Sequence, residues 1–326
     1  IMRPQGVYHS SYAAGIYHSQ KGHPMLDLDA LARFCRENQI SYRRDLPMAD
    51  YTTFHVGGKA DFAALPSSSE EMTLLMRELR RIGETPCLIG KGSNLLISDK
   101  GIRGVTVFTW GLSDIRVNGS TIVAGAGASL SAVCRTAEAE SLSGMEFAYG
   151  IPGSVGGGVF MNAGAYGGEL RDAVLWVECL DGDGELRRLA GTALQFGYRR
   201  SVFTSHPDWC ILRAAFGLHW ERRELIGEKM RELLGRRREK QPVDQYSAGS
   251  TFKRPEGAYA GTLIEQCGLR GFRIGDACVS EKHCGFIVNL GNASCKDIET
   301  LIEKVQQTVF EKTGYKLEPE VRKVGE

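Results

Sequence analysis

Neither sign of charge prevails in this chain: 40 lysines and arginines stand against 39 aspartates and glutamates over 326 residues, a formal net charge of +1. A nucleic-acid binder normally carries a basic excess on one domain, so no nucleic-acid partner is expected. Apolar runs long enough to span a bilayer are missing, and the N-terminal stretch lacks the uninterrupted apolar core of a signal peptide. A cytoplasmic protein without a membrane partner is expected. Nine cysteines are present, but no CxxC pair occurs and the spacing is irregular, which argues against a disulfide framework and a zinc ribbon. Cys267, Cys278, His283, Cys284 and Cys295 crowd together in sequence; buried free thiols, with no metal, are the expectation. No His or Asp spacing supports a nucleophilic triad. Phosphate-loop fingerprints are also incomplete. Gly90-Lys91-Gly92-Ser93-Asn94-Leu95 and the similar turn opening at Gly125 each lack the third glycine of the dinucleotide pattern, and neither fits the Walker pattern.

Glycine, in contrast, is abundant, with 40 residues. The stretch from Gly150 to Gly168, GIPGSVGGGVFMNAGAYGG, has eight glycines among nineteen residues and no charged side chain. It reads as neither regular helix nor strand. Such a bare backbone suits a cradle in which peptide N–H groups approach a ligand, and phosphate is the ligand that fits stripped N–H donors. Three glycine-rich turns, at 90, 125 and 150, fall inside one block of short strands. A dinucleotide with two phosphates could run across all three, in a fold other than the Rossmann type.

The element pattern is α+β, with many short strands rather than regular strand and helix alternation. Residues 1–24 repeat a short phrase, Val7-Tyr8-His9-Ser10 and Ile16-Tyr17-His18-Ser19, and read as a disordered lead. Helices are expected at 27–39, opened by a capping Asp, and at 69–82 and 129–141. Strands are expected at 60–65, 87–90, 105–109, 115–117 and 121–124, with a hairpin about Asp181-Gly182-Asp183-Gly184 and a longer strand at 210–220. The helix at 221–240 interleaves arginines and glutamates and reads as a solvated face. Helices near 259–267 and at 296–312, with a strand at 285–290, should follow. A strand within 315–324 would carry Glu318, Glu320 and Arg322 on an exposed face. Boundaries near Glu84 and Glu221 divide the chain into units at 25–84, 85–220 and 221–326.

Three polar clusters look misplaced for structure alone: Tyr198-Arg199-Arg200-Ser201, the turn from Ser247 to Pro255, and Leu317-Glu318-Pro319-Glu320-Val321-Arg322. Paired arginines suit a carboxylate or a phosphate, and a serine held on a turn of small residues can donate a proton. Together with YTTFHVGG at 51–58, GKGSNLL at 90–96, GIPGSVGGG followed by NAGAYG, YRRSVF at 198–203, AGSTFKRP at 248–255 and LEPEVR at 317–322, these clusters resemble the UDP-N-acetylenolpyruvoylglucosamine reductase family from about residue 25 onward.

The resemblance implies the FAD-binding fold of vanillyl-alcohol-oxidase type in two subdomains, followed by an α+β substrate-binding domain. It also implies noncovalent FAD, NADPH as hydride donor and a UDP-sugar substrate, with a place in peptidoglycan synthesis and a monomer as the expected state. By motif position, Arg199, Ser250 and Glu320 resemble the catalytic groups. Cofactor contacts would come from Thr53, Gly57, Gly90, Lys91, Gly92, Ser93, Asn94, Leu95, Gly125, Pro152, Gly153, Ser154, Val155, Gly156, Gly157, Asn162, Gly164 and Ala165. Tyr198, Lys240 and Arg254 resemble substrate-binding positions. Arg254 and the short spacing from Lys240 to Ser250 resemble the shorter class of these reductases, which lacks the loop that caps the UDP-sugar. The competing reading is an FAD-dependent oxidase or dehydrogenase of the same fold acting on a hydroxy acid or sugar alcohol.

Overall fold

The computed structural model describes residues 26–326, so the lead expected at 1–24 lies outside the described residues. The first sheet has four strands in the order Ser41–Pro47, Lys59–Leu65, Ile102–Phe108, Cys87–Ile89, antiparallel at the first pairing and parallel thereafter. Strands from both sides of residue 84 hydrogen-bond within this sheet, so it crosses the boundary expected there. Ser41–Pro47 gave no strand signal because it is a polar edge strand. Only Leu46 is buried in it, and Tyr42 stacks on Phe62 at 5.0 Å. The second sheet is antiparallel, ordered Leu186–Ala190, Val174–Leu180, Cys210–Gly217, Thr121–Gly125, Ile115–Asn118. Its outer hairpin forms at the expected Asp181-Gly182-Asp183-Gly184 turn, where Asp181 Oδ1 accepts from the N–H groups of Asp183 and Glu185.

Helix starts follow their caps. Asp27 accepts from Asp29 and Ala30 at the head of Leu28–Glu37, Ser68 from Glu71 before Ser69–Arg81, and Ser129 from Ala132 before Leu130–Ala139. The glycine stretch departs from expectation, for Val155–Met161 is an α-helix. Ser154 caps it by accepting from Gly157 N–H, and Asn162 ends it in the left-handed region at φ 43°. Glycine costs about 1 kcal/mol against alanine in a helix, and here close packing offsets that cost. A Cβ on Gly156 would lie 3.0 Å from the Ala126 side chain, and one on Gly158 would lie 2.8 Å from Leu170.

The charged helix forms at Arg223–Lys240, but its inner side is not solvated: Ile226 and Met230 join the core of the preceding block. The strand expected to run to Trp220 breaks after Gly217, and His219–Trp220 pairs instead with Leu142–Ser143. The strand expected over 315–324 is regular only at Arg322–Val324. It lies parallel to Leu95–Ile97, a strand that follows directly on the loop at 90–94.

The C-terminal unit is a three-stranded sheet of Arg273–Ile274, Ala277–Val279 and Ile287–Asn289, with the helices Ala260–Gln266 and Cys295–Thr313. Its core takes in Leu263, Ile298, Leu301 and Val305, and also Phe54 and Val56 from the N-terminal segment. Asn289, 3% exposed, fastens that seam. Its Nδ2 donates to Phe54 O at 3.0 Å, while its Oδ1 accepts from Gly291 and Ala293 N–H at 2.8 and 2.9 Å. Replacing Asn289 with Ala leaves one buried carbonyl and two N–H groups without these partners. The variant should lose about 3 kcal/mol of stability, read as a lower midpoint in a urea unfolding curve.

Candidate functional site

The phosphate-loop turn, the head of the glycine helix and the two polar clusters beyond it enclose one cleft of ≈ 450 Å³. Sixteen of the residues singled out in the sequence line it: Gly90 through Leu95, Pro152, Gly153, Ser154, Gly156, Gly157, Gly164, Ala165, Arg199, Ser250 and Glu320. The strand Cys87–Ile89 delivers the chain to the first turn, and the strand Leu95–Ile97 carries it away. Between them the N–H groups of Lys91, Gly92, Ser93 and Asn94 have no acceptor among the described residues. Four successive free amides of this kind form a nest for anionic oxygen. Gly92 permits the turn at φ +62°, where a Cβ would collide with the carbonyl of Tyr51. On Gly90 a Cβ would collide with the Ser154 hydroxyl.

Two further groups on the wall suit a polar ligand. Thr109 Oγ1 and Gln241 Oε1 are buried, line the cleft and have no hydrogen-bond partner among the described residues. An unsatisfied buried polar atom costs on the order of 1–3 kcal/mol, which a bound ligand can recover. The free amides, the Thr109 hydroxyl and the nearby cations fit FAD: a diphosphate for the amides, with ribityl and ring polar atoms for the others.

Arg199 sits at φ +53° in a tight turn closed by reciprocal Gly197 and Arg200 backbone hydrogen bonds. Its Nε donates to Glu320 Oε1 at 2.7 Å and its terminal nitrogen to Gly164 O at 3.2 Å. The pair is deep, with the two side chains 19% and 14% exposed. Glu320 therefore does not lie on the outer face of an edge strand as expected. The segment before it pairs with the serine turn, Lys253 N–H donating to Glu318 O and Glu320 N–H to Thr251 O, each at 2.8 Å. Asn94 Nδ2 also donates to Glu320 O at 3.1 Å. These bonds turn Glu320 inward, while Glu318 stays exposed against Lys253. Ser250 follows Gly249, which needs φ +78°, and its hydroxyl makes no hydrogen bond among the described residues.

The remaining singled-out residues fall elsewhere. Gly125 and Asn162 were expected along the cofactor, yet neither lines the cleft. Gly125 packs against the Leu112 carbonyl, and fully buried Asn162 donates to Glu169 and to Gly197 O while accepting from Arg171 N–H. Val155 is buried in the core, Gly57 packs on Ile97, and Thr53 Oγ1 donates to Ser247 O at 2.6 Å, so these support the walls from behind. Tyr198 and Arg254 line a second cleft of ≈ 640 Å³ with Lys253, Tyr315 and Lys316. There the Tyr198 hydroxyl accepts from Arg254 N–H at 3.1 Å, and the Arg254 guanidinium lies over Tyr259. Lys240 is exposed and lines neither cleft.

One helical turn before Gln241, Arg237 enters the main cleft, its Cδ 3.0 Å from where a Gly150 Cβ would lie. Burial lowers its pKa from the usual arginine value. Sequence reasoning missed Arg237, Gln241 and Thr109. The spacing of Arg237 and Gln241, four residues apart at the end of a helix, was the available signal. The nine cysteines are all buried free thiols, and burial pushes Cys295 up to about 12.

Burial raises the Glu320 pKa above 4.5, and Arg199 opposes the shift without cancelling it. The folded chain therefore binds more protons at this site than the unfolded chain between 4.5 and the folded value. Stability falls as pH rises across that window. Measured without nucleotide, the stability of the wild type relative to Glu320→Gln should decline as pH rises from 4.5 and then level off. A difference that is flat across this range would contradict the assignment.

A family model for an FAD binding domain matches residues 60–190, and one for the UDP-N-acetylenolpyruvoylglucosamine reductase C-terminal domain matches 241–324. A UDP-N-acetylenolpyruvoylglucosamine reductase of Caldanaerobacter subterraneus subsp. tengcongensis is 47% identical over 299 residues, 92% of this chain and 98% of the relative. One from Agathobacter rectalis is 48% identical over 88% of this chain and 95% of its own length. The crystal structure of UDP-N-acetylenolpyruvylglucosamine reductase from Thermus caldophilus matches with a TM-score of 0.75 at 35% identity, over 88% of this chain and 99% of that one. With this fold, this cleft and this identity along most of its length, the chain belongs to the UDP-N-acetylenolpyruvoylglucosamine reductase family.

Proposed function

We propose that this chain reduces the enolpyruvyl ether of UDP-N-acetylglucosamine to UDP-N-acetylmuramate, with NADPH as electron source and noncovalent FAD as carrier, in peptidoglycan synthesis. The observation that carries the site assignment is a partly buried Arg199–Glu320 pair sharing one cleft with a Ser250 hydroxyl that has no hydrogen-bond partner among the described residues. FAD, when bound, supplies the hydride relay from NADPH to the vinyl carbon of the substrate. Lys91 to Asn94 would hold its diphosphate by their free backbone amides, and Thr109 and Gln241 would bond to its polar atoms.

Arg199 is a permanent cation fixed in direction by Glu320 and Gly164, so it meets the substrate carboxylate and the negative charge that develops on the enolate. One preorganised donor of this kind contributes on the order of 3 kcal/mol to the barrier. Ser250 gives its proton to the carbon next to the carboxylate. Glu320 keeps the guanidinium aimed and works with it on the enol. Arg237 adds a second cation for anionic oxygen, and the cleft around Tyr198 and Arg254 receives the distal part of the UDP-sugar.

Residues 25–84 and 85–220, joined by the sheet that crosses residue 84, together serve as the cofactor-binding part, and 221–326 as the substrate-binding unit. Among the described residues no helix is long and apolar enough to cross a membrane. A monomer working in the cytoplasm completes the reading.

The purified protein should be yellow and, under anaerobic stopped flow, NADPH should bleach its flavin. In Ser250→Ala that bleaching should persist while turnover of the enolpyruvyl substrate falls by roughly 10²–10⁴-fold, the usual range for a lost proton donor. Equal substrate rates in the two proteins would refute the role given to Ser250.

A further inference from the structure

Thr251, next to Ser250 in the chain, has no exposed surface and no contact with the cleft, yet two separate segments are bonded to it. Its N–H donates to Gly285 O at 2.8 Å, its Oγ1 accepts from Ile287 N–H at 2.9 Å, and its carbonyl accepts from Glu320 N–H at 2.8 Å. The first two bonds grip the residues on either side of Phe286, which lines the cleft. The third sets the height of Glu320, whose own carbonyl is held from the other side by Asn94. One buried residue thus ties the serine turn, the Gly285–Ile287 segment and the glutamate segment together.

We infer that Thr251 is a positioning residue for the reductase reaction: its hydroxyl and backbone fix the Ser250 hydroxyl relative to the Arg199–Glu320 pair. This inference rests on the roles proposed for Ser250 and Glu320. Backbone bonds to residue 251 survive most substitutions, so the hydroxyl is the part that identity controls. On its N-terminal side the turn is held by the Thr53 hydroxyl on Ser247 O and by buried Ala248, with Gly249 at φ +78° as the one residue between them and Ser250. On the other side Thr251 is the first residue, bonded directly to both neighbouring segments. Valine at this position keeps the shape and removes the acceptor, stranding the Ile287 N–H in the core.

The function is separable from folding because only one half-reaction needs Ser250 and Glu320 in register. In Thr251→Val, bleaching of the flavin by NADPH and the affinity for FAD should stay at wild-type values. Reoxidation by the enolpyruvyl substrate should slow on the order of 10²-fold, as expected for a misplaced reacting group, with KM for the UDP-sugar little changed. Thr251→Ser keeps the acceptor and should restore the rate. Wild-type reoxidation in Thr251→Val, equal slowing of both half-reactions, or failure of Thr251→Ser to restore the rate would each overturn the inference. Should Thr251→Val fail to fold, Thr251→Ala replaces it under the same criteria. Ser250→Ala run alongside separates the two claims: normal reoxidation there removes the underlying role, whereas slow reoxidation there with normal Thr251→Val removes only this inference.

Discussion

A short parallel pairing, Arg322–Val324 on Leu95–Ile97, is the constraint on which the site depends. It returns the last segment of the fold to the phosphate loop across a separation of 226 residues between Asn94 and Glu320. Parallel pairing of so few residues is weak by itself, and closing so long a loop adds an entropic cost that grows only with the logarithm of its length. Side chains supply the reinforcement. Asn94 donates to Glu320 O, Lys323 pairs with Glu299 at 2.5 Å, and Val324 enters the core beside Leu46 and Ile97. Without this return, Glu320 would have no fixed relation to Arg199.

Two buried glutamates show how partner number decides the outcome of burial. Burial pushes both upward. Glu178 bonds to Arg188 and Arg213, which together outweigh burial and bring it below its ordinary value. Among the described residues Glu320 is paired with Arg199 alone, with Lys253 adding a smaller pull, and stays above its ordinary value. The first arrangement braces adjacent strands of the second sheet. The second leaves a carboxyl group with a raised pKa in a cleft, and perturbed groups cluster at functional sites.

Local signals in the sequence located elements whose ends are set by local chemistry. Asp27, Ser68 and Ser129 mark helix starts because capping needs only a side-chain oxygen and an amide three residues away. The Asp181-Gly182-Asp183-Gly184 turn is as self-contained. The glycine helix was illegible because its stability comes from Ala126, Leu130 and Leu170, which are distant in sequence or follow it across a loop. The direction of Glu320 was illegible for a related reason. Strand alternation assigned it to the exposed face, but pairing with the serine turn reversed that. Arg237 stands among neighbours that are exposed, and only the approach of Gly150 shows that its side chain enters the cleft. The chemical groups were found by motif resemblance; their geometry was set by tertiary contacts.

Seven of the nine buried thiols divide between the two main cores in a way that follows the construction of the molecule. Cys35, Cys134, Cys179 and Cys210 lie in the first core, Cys267, Cys284 and Cys295 in the C-terminal one, and Cys87 in a smaller third cluster. Modification of any of them by a bulky thiol reagent requires the surrounding packing to part. The reaction rate at each cysteine therefore measures the opening free energy of its own neighbourhood. The chain carries internal reporters of whether its two main cores breathe together or separately.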